Sequence, residues 1–489
     1  MKQMSCFLTS VNLNVHDFLI TFNSNRSDNF LKEDFSRYYH SLSILMISQS
    51  TIRRHHRITS TFESISDPLP NSKEPLPPNI ETQLYSIFDA FDVNNSNMFE
   101  ILNQLYLIFI QYGHSIHPYI TSLQISNLIN LLIPQLSSWH DITLQILWSC
   151  SFLSDDIFGY FMEADNFIPK MCGILEMNHI NPNNNTILLT IQLLNYCISK
   201  NNNLTSKFVA NMAFEKLRPF CNGPNQFMPL CTDIITNCLI LYEFVQTAFP
   251  LMVQILETGD SHSIANILYV LSISNGESDP DDIINNYIFK NYLPRMTEFL
   301  NGDDTYLQEK VVLMFGSLIE SDEEFFDYLH QNGIIEKVVN LLLQNDKELS
   351  FSVISFLETL LTFNSSGEST DVVLFSLAKF DFLGFCDQCC FAVRDKIIFF
   401  ISKMALLSKP GQAASFITPR YLEILLLHFE SSDLPEKRQI CFNLHCILMQ
   451  NQMIPEFCQM ILSAWMQNDI CANFCAELTS NELNTLLLE

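Results

Sequence analysis

The chain has 489 residues, 48% of them hydrophobic, with 40 phenylalanines, only 12 glycines and a net charge of −27. That length allows several domains or one long array with a continuous core, and so little glycine argues against phosphate-cradling loops and tight hairpins and favours helices. The acid excess excludes nucleic-acid backbones and anionic membranes as partners and favours basic protein segments.

Residues 1–66 are polar, serine-rich and weakly patterned, and their opening stretch lacks the sustained apolar core of a secretory signal. Within them "TIRRHHRIT" gathers Arg53, Arg54 and Arg57, the most basic stretch of the chain. The 80 residues at the start hold eight Lys/Arg against seven Asp/Glu, which leaves 18 basic and 46 acidic residues for the rest. "SDPLPNSKEPLPPN", Ser66–Asn79, carries five prolines in 14 residues and reads as an extended linker. The expected organisation is therefore a flexible N-terminal arm and linker over 1–79, with a folded body over 80–489.

From Ile101 to His140 there is no Asp, Glu, Lys or Arg, but Asn, Gln, His and Pro interrupt the run. It is expected to form buried helices and not a membrane span, which needs about 18 or more apolar residues. Beyond it the chain repeats itself. "ILWSCSFLSDD" from Ile146 returns as "IQLLNYCISKN", "ANILYVLSISNG", "VVLMFGSLIESD", "ISFLETLLTFNS" and "FISKMALLSKP", and last as "CFNLHCILMQN" from Cys441. Where consecutive copies align, their tails lie 42 to 46 residues apart. Apolar helical runs also break at Gly259, Gly302 and Asn345, 43 residues apart each time, and acid follows each break.

A helical period near this length is the signature of an armadillo or HEAT solenoid, in which one unit buries its apolar faces only by stacking on the next. The middle of the chain gives the triplet most clearly. Ser321–Gly333 reads as a first helix with a capping box at Ser321 and Glu324, Ile334–Asn345 as the second, and Lys347–Phe363 as the third. The expected fold is all-α: a right-handed α-solenoid of about nine armadillo-like three-helix repeats.

"YLHQNGIIEKVVNLLLQNDKELSFSVISFLETLL" resembles the armadillo consensus, and "LQILWSCSFLSDD" is similar to the importin-α branch of nuclear import adaptors. The arm, linker and repeat number agree with that branch. The resemblance implies a groove lined by the third helices, where a Trp and an Asn four residues later grip a basic peptide, and an arm that engages a carrier or docks in the groove. In this sequence Trp148 matches a ladder Trp, but Phe152 stands at the paired Asn position. The corresponding pairs further on are Leu268 with Ser272 and Leu313 with Ser317.

Trp148 and Phe152, with Asp155, Asp156, Glu309 and Glu320 as charge partners, are therefore the candidate partner-binding residues, and Arg53, Arg54 and Arg57 mark the basic arm. Two functions stay open: a cytoplasmic protein-binding scaffold, or a divergent import adaptor shuttling to the nucleus. A Trp148 that lines the groove beside exposed carboxylates favours the adaptor, and one buried between layers favours the scaffold.

Catalysis and cofactors are not expected. Walker, G-x-S-x-G and H-E-x-x-H patterns are absent, and acid pairs such as Asp303–Asp304 fall at helix starts, where carboxylates suit the dipole. The 15 cysteines have no framework spacing and read as reduced, mostly buried thiols. Cys386, Cys389 and Cys390, with Cys441 and His445, could hold zinc only if neighbouring layers brought four ligands together; the flanking Phe385 and Phe391 point instead to buried thiols.

Overall fold

A computed structural model describes residues 76–90, 97–119, 122–137, 140–153, 159–161, 166–180, 184–200, 202–223, 225–238, 245–274, 287–321, 323–363, 368–468 and 470–471. Their regular structure is helical, with no strand among the described residues. They fall into two compact units that meet in sequence at Phe325 and Phe326. The basic stretch at Arg53, Arg54 and Arg57, and most of the expected linker, lie outside the described residues.

The first unit opens with α1 (Pro78–Ala90), two residues ahead of the expected start, followed by α2 (Met98–Tyr112), α3 (Ser122–Gln135) and α4 (His140–Cys150). It continues through α5 (Phe167–Ile180), α6 (Asn184–Lys200), α7 (Asn202–Ala210), α8 (Ala213–Leu217) and α9 (Met228–Cys238). It ends with α10 (Val245–Thr258), α11 (Ser261–Ser274), α12 (Leu293–Phe299) and α13 (Thr305–Ser321). The third helices α2, α4, α6, α9, α11 and α13 pack in sequence, each on the next, while α3, α5, α10 and α12 cover one flank of the stack.

The charge-free stretch supplies part of this core: Leu102, Leu105, Phe109, Leu128 and Leu132 are all fully buried. No helix among the described residues is long and apolar enough to cross a membrane.

After α14 (Glu323–Gln331), which carries the boundary, the second unit contains α15 (Ile334–Asn340), α16 (Lys347–Phe363), α17 (Glu368–Leu377) and α18 (Phe382–Cys386). It closes with α19 (Phe391–Leu407), α20 (Pro419–Ser431), α21 (Leu434–Gln450) and α22 (Pro455–Gln467). Here α16, α19 and α21 are the stacked third helices. The third helix of the sequence triplet matches α16 end to end. The second helix tightens into a 3-10 turn at Leu341–Gln344. The first differs: Ser321 closes α13, and the next helix starts at Glu323.

The regular breaks have a local cause, because each pairs a helix stop with the N-cap of the next third helix. Asp260 accepts from Ser263 N at 2.9 Å, Asp304 from Leu307 N at 3.1 Å, and Asp346 from Leu349 N at 2.9 Å. These bonds satisfy amides that the first turn of a helix leaves without an intrahelical partner. Asn345 supplies its stop in the left-handed region at φ 54°. Gly259 is there for space: a Cβ would lie 2.5 Å from Ile255 O and 3.2 Å from Met228 Sδ. At the Gly302 break the buried Gln308 amide donates to Leu300 O at 3.1 Å and Gly302 O at 2.6 Å, closing the loop. Together these observations establish an all-α fold of the α-solenoid class.

Candidate functional site

The third helices of the first unit form one continuous face. It begins at Trp148 on α4, which is 8% exposed. Its ring meets Phe152 edge-on at 4.9 Å and Tyr196 of α6 at 5.8 Å, and Phe152 stacks on Tyr196 at 5.0 Å. Trp148 is thus buried between layers, with aromatic neighbours around it. One turn along α6, Lys200 places its ammonium 5.7 Å from the Tyr196 ring.

The next contacts are amides. Asn237 of α9 donates to Asn195 Oδ1 of α6 at 2.8 Å, and both residues are buried. Asp233, one turn back on α9, has its pKa pushed up to about 6 by burial. On α11 and α13, Tyr306 donates to Asn266 Oδ1 at 2.5 Å, and the His262 ring stacks on Tyr306 at 5.3 Å. Lys310 sits between two rings, 4.9 Å from Tyr269 and 4.9 Å from Tyr306, with Glu309 Oε1 at 3.0 Å. An aromatic slot with a carboxylate beside it is the arrangement that holds an alkylammonium group. The chain fills this one with its own lysine.

In the second unit the corresponding face is built differently. Lys396 of α19 donates to Phe351 O of α16 at 3.2 Å and to Ser355 Oγ, and Lys403 donates to Glu358 O at 3.3 Å and Thr362 Oγ1 at 2.6 Å. The two lysines are seven residues apart and make the same pair of bonds seven residues apart on the neighbouring helix. Burial lowers the pKa of Lys403, with Glu358 opposing that shift and Lys396 adding to it. On the next layer His428 Nδ1 lies 3.0 Å from Asp395 Oδ1, a contact whose geometry falls short of a hydrogen bond.

Of the residues expected to meet a partner, Trp148 and Phe152 touch each other, and Glu309 is buried and paired with Lys310. Glu320 lies on α13, but its side chain, like the whole of Asp155 and Asp156, falls outside the described residues. Sequence reasoning missed Tyr196, Tyr269, Tyr306 and Lys310. The usable signal was the spacing between layers: Tyr306 follows Asn266 by 40 residues and Asn237 follows Asn195 by 42. Among the described residues no three His, Cys, Asp or Glu side chains converge to hold a metal. Cys386 and Cys389 are buried, while Cys390 is exposed.

No protein-family model and no curated protein matches the chain. Solved structures do. The crystal structure of SYS-1 aligns with a TM-score of 0.54 at 12% identity, covering 94% of this chain and 91% of that one. The crystal complex of SYS-1 and POP-1 aligns with 0.55 at 12% identity, covering 95% and 92%. An engineered protein aligns with 0.51 at 12% identity, covering 77% of this chain and 96% of its own. At that identity the likeness is one of fold, that of a helical solenoid.

Proposed function

We propose that the chain is a non-enzymatic scaffold that works in the cytoplasm and binds an extended segment of a protein partner along the face of its third helices. The observation that carries this reading is the continuity of that face: aromatic or amide side chains join α4 to α6, α6 to α9 and α11 to α13, and α9 packs directly on α11. Of that run Phe152, Tyr196, Asn266 and Tyr306 keep accessible surface, and they offer rings for side-chain packing and an amide for a partner's backbone. Support from outside the chain comes from SYS-1, of similar fold, which has been crystallised in complex with POP-1.

The partner segment is basic, drawn by a body with 46 acidic against 18 basic residues. Its cations meet exposed carboxylates, because Lys310 already holds the Tyr269–Tyr306 slot. The import-adaptor form of this reading rests on the resemblance alone. A Trp148 that is 8% exposed and enclosed by Phe152 and Tyr196 favours the scaffold.

The test is titration of the full-length protein with a fluorescent Lys/Arg-rich peptide and its Asp/Glu counterpart at several salt concentrations. Binding of the basic peptide alone, weakening as salt screens exposed charge within about 8 Å, supports the reading. Equal binding of both peptides, or of neither, overturns it.

A further inference from the structure

We propose that a cleft between the N-terminal turns of α16 and α19 is a two-thiol exchange site for a small acidic disulfide, with Cys390 attacking and Cys389 resolving. The cleft encloses about 340 Å³ and is lined by Asn345, Lys347, Ser350, Gln388, Cys389 and Cys390. Two adjacent cysteines and one lysine therefore line one space.

The two thiols are unequal. Cys390 is exposed, and every other described cysteine is buried or half-buried. Cys389 is 8% exposed and turns its thiol toward Cys386 O at 3.7 Å. Burial raises the pKa of Cys389 and shields its sulfur, which leaves the first attack to the exposed Cys390. The place of Cys390 in the repeat adds to this. The third helices α11, α13, α16 and α21 begin at Asp260, Asp304, Asp346 and Asp433, whose carboxylates accept from first-turn amides. Cys390 holds that N-cap position in α19 and makes no side-chain cap bond. Its sulfur lies at the helix end that favours negative charge.

Acidity in the ligand is read from Lys347. Its carboxylate neighbour, Glu348, stands 3.9 Å away, with side chains 55% and 37% exposed, a pair weak enough for a ligand carboxylate to displace.

The chemistry balances without a further reactant. The Cys390 sulfur attacks one sulfur of the disulfide RSSR, the RS–SR bond breaks, and the first RS⁻ leaves and takes the proton. The Cys389 sulfur then attacks Cys390, expels the second RS⁻ with the second proton, and closes a protein disulfide. Two protein thiols are oxidised and one disulfide is reduced to two RSH. Consecutive Cα atoms lie about 3.8 Å apart, short of the usual disulfide span, so the product is strained and easily reduced again.

Full-length protein treated with glutathione disulfide, quenched and mapped by mass spectrometry tests this. Wild type should lose the thiols of Cys389 and Cys390 together, through a transient adduct on Cys390. Cys389→Ser should trap that adduct, and Cys390→Ser should leave Cys389 unreacted. Lys347→Gln should slow the reaction about threefold to tenfold with glutathione disulfide but not with neutral hydroxyethyl disulfide, as expected for one charge contact. Modification spread over other cysteines, reaction of Cys390→Ser at the wild-type rate, no trapped adduct in Cys389→Ser, or equal slowing of both disulfides by Lys347→Gln would each overturn the proposal.

Discussion

The two units solve the same stacking problem with different chemistry. In the first, one third helix is tied to the next by side chain on side chain: Thr186 to Asp141, Asn237 to Asn195, Tyr306 to Asn266. In the second, lysines of α19 reach backbone carbonyls of α16 at Phe351 and Glu358, and Gln450 of α21 donates to Ser408 O at 2.7 Å. The steps are alike, 45, 42 and 40 residues in the first unit and 45, 45 and 42 in the second. Period is therefore set by helix length and stacking, while the cross-layer bonds vary freely. In the first unit Asn266 and Tyr306 stay accessible, so a partner can share their polar groups. A face whose lysines are committed to carbonyls is mainly a structural joint.

The strongest way to break this comparison is to reverse the charge of the joint. Lys403→Glu puts a carboxylate among acceptors in a site that is 7% exposed, and it should cost about 3–5 kcal/mol in denaturant unfolding. Lys403→Met, which keeps the stem, should stay within about 1.5 kcal/mol of wild type, because Thr362 still donates to Glu358 O. Equal losses in the two variants would show that charge is not what the joint tests.

The matching break in the first unit is Asn237→Leu. It strands the buried Asn195 amide and should cost about 1–3 kcal/mol, and adding Asn195→Leu should recover part of that loss. Absence of any recovery in the double variant would mean that packing, not the amide pair, sets the cost.

Asp233 sharpens the comparison through pH. Its ordinary value of 3.8 is pushed up to about 6 by burial, so between those values the folded state holds the proton more tightly than the unfolded chain. Its contribution is then most favourable at low pH, declines as pH rises from about 4 to about 6, and leaves the full penalty above that. Asp233→Asn should raise the melting temperature at pH 7.5, by about 1–2 kcal/mol in free energy, and should have little effect at pH 4. An unchanged profile across that window would contradict the burial. The smallest expected effect is Tyr306→Phe, which removes one bond to Asn266 at a residue 38% exposed and should cost about 0.5–1.5 kcal/mol by the same measurement.

How much of this was legible in the sequence varies with the distance over which each feature is decided. The break at Asn345 followed by Asp346 is a local stop and cap, so α16 could be placed to the residue. The same logic failed at Ser321, where an apparent capping box competes with the last turn of a 17-residue helix and the helix prevails. The candidate site was harder to read. Trp148 stands out in any sequence, but its enclosure by Phe152 and Tyr196 depends on which helix stacks beside it. Lys310 looks like a solvated charge until Tyr269 is brought alongside from the preceding layer.

Amide hydrogen exchange of the full-length protein with and without the Lys/Arg-rich peptide tests most directly whether the third-helix face is where a partner binds. The account predicts added protection on Asn184–Lys200, Met228–Cys238, Ser261–Ser274 and Thr305–Ser321. Protection confined to Phe167–Ile180 and Val245–Thr258, on the flank of the stack, would contradict it.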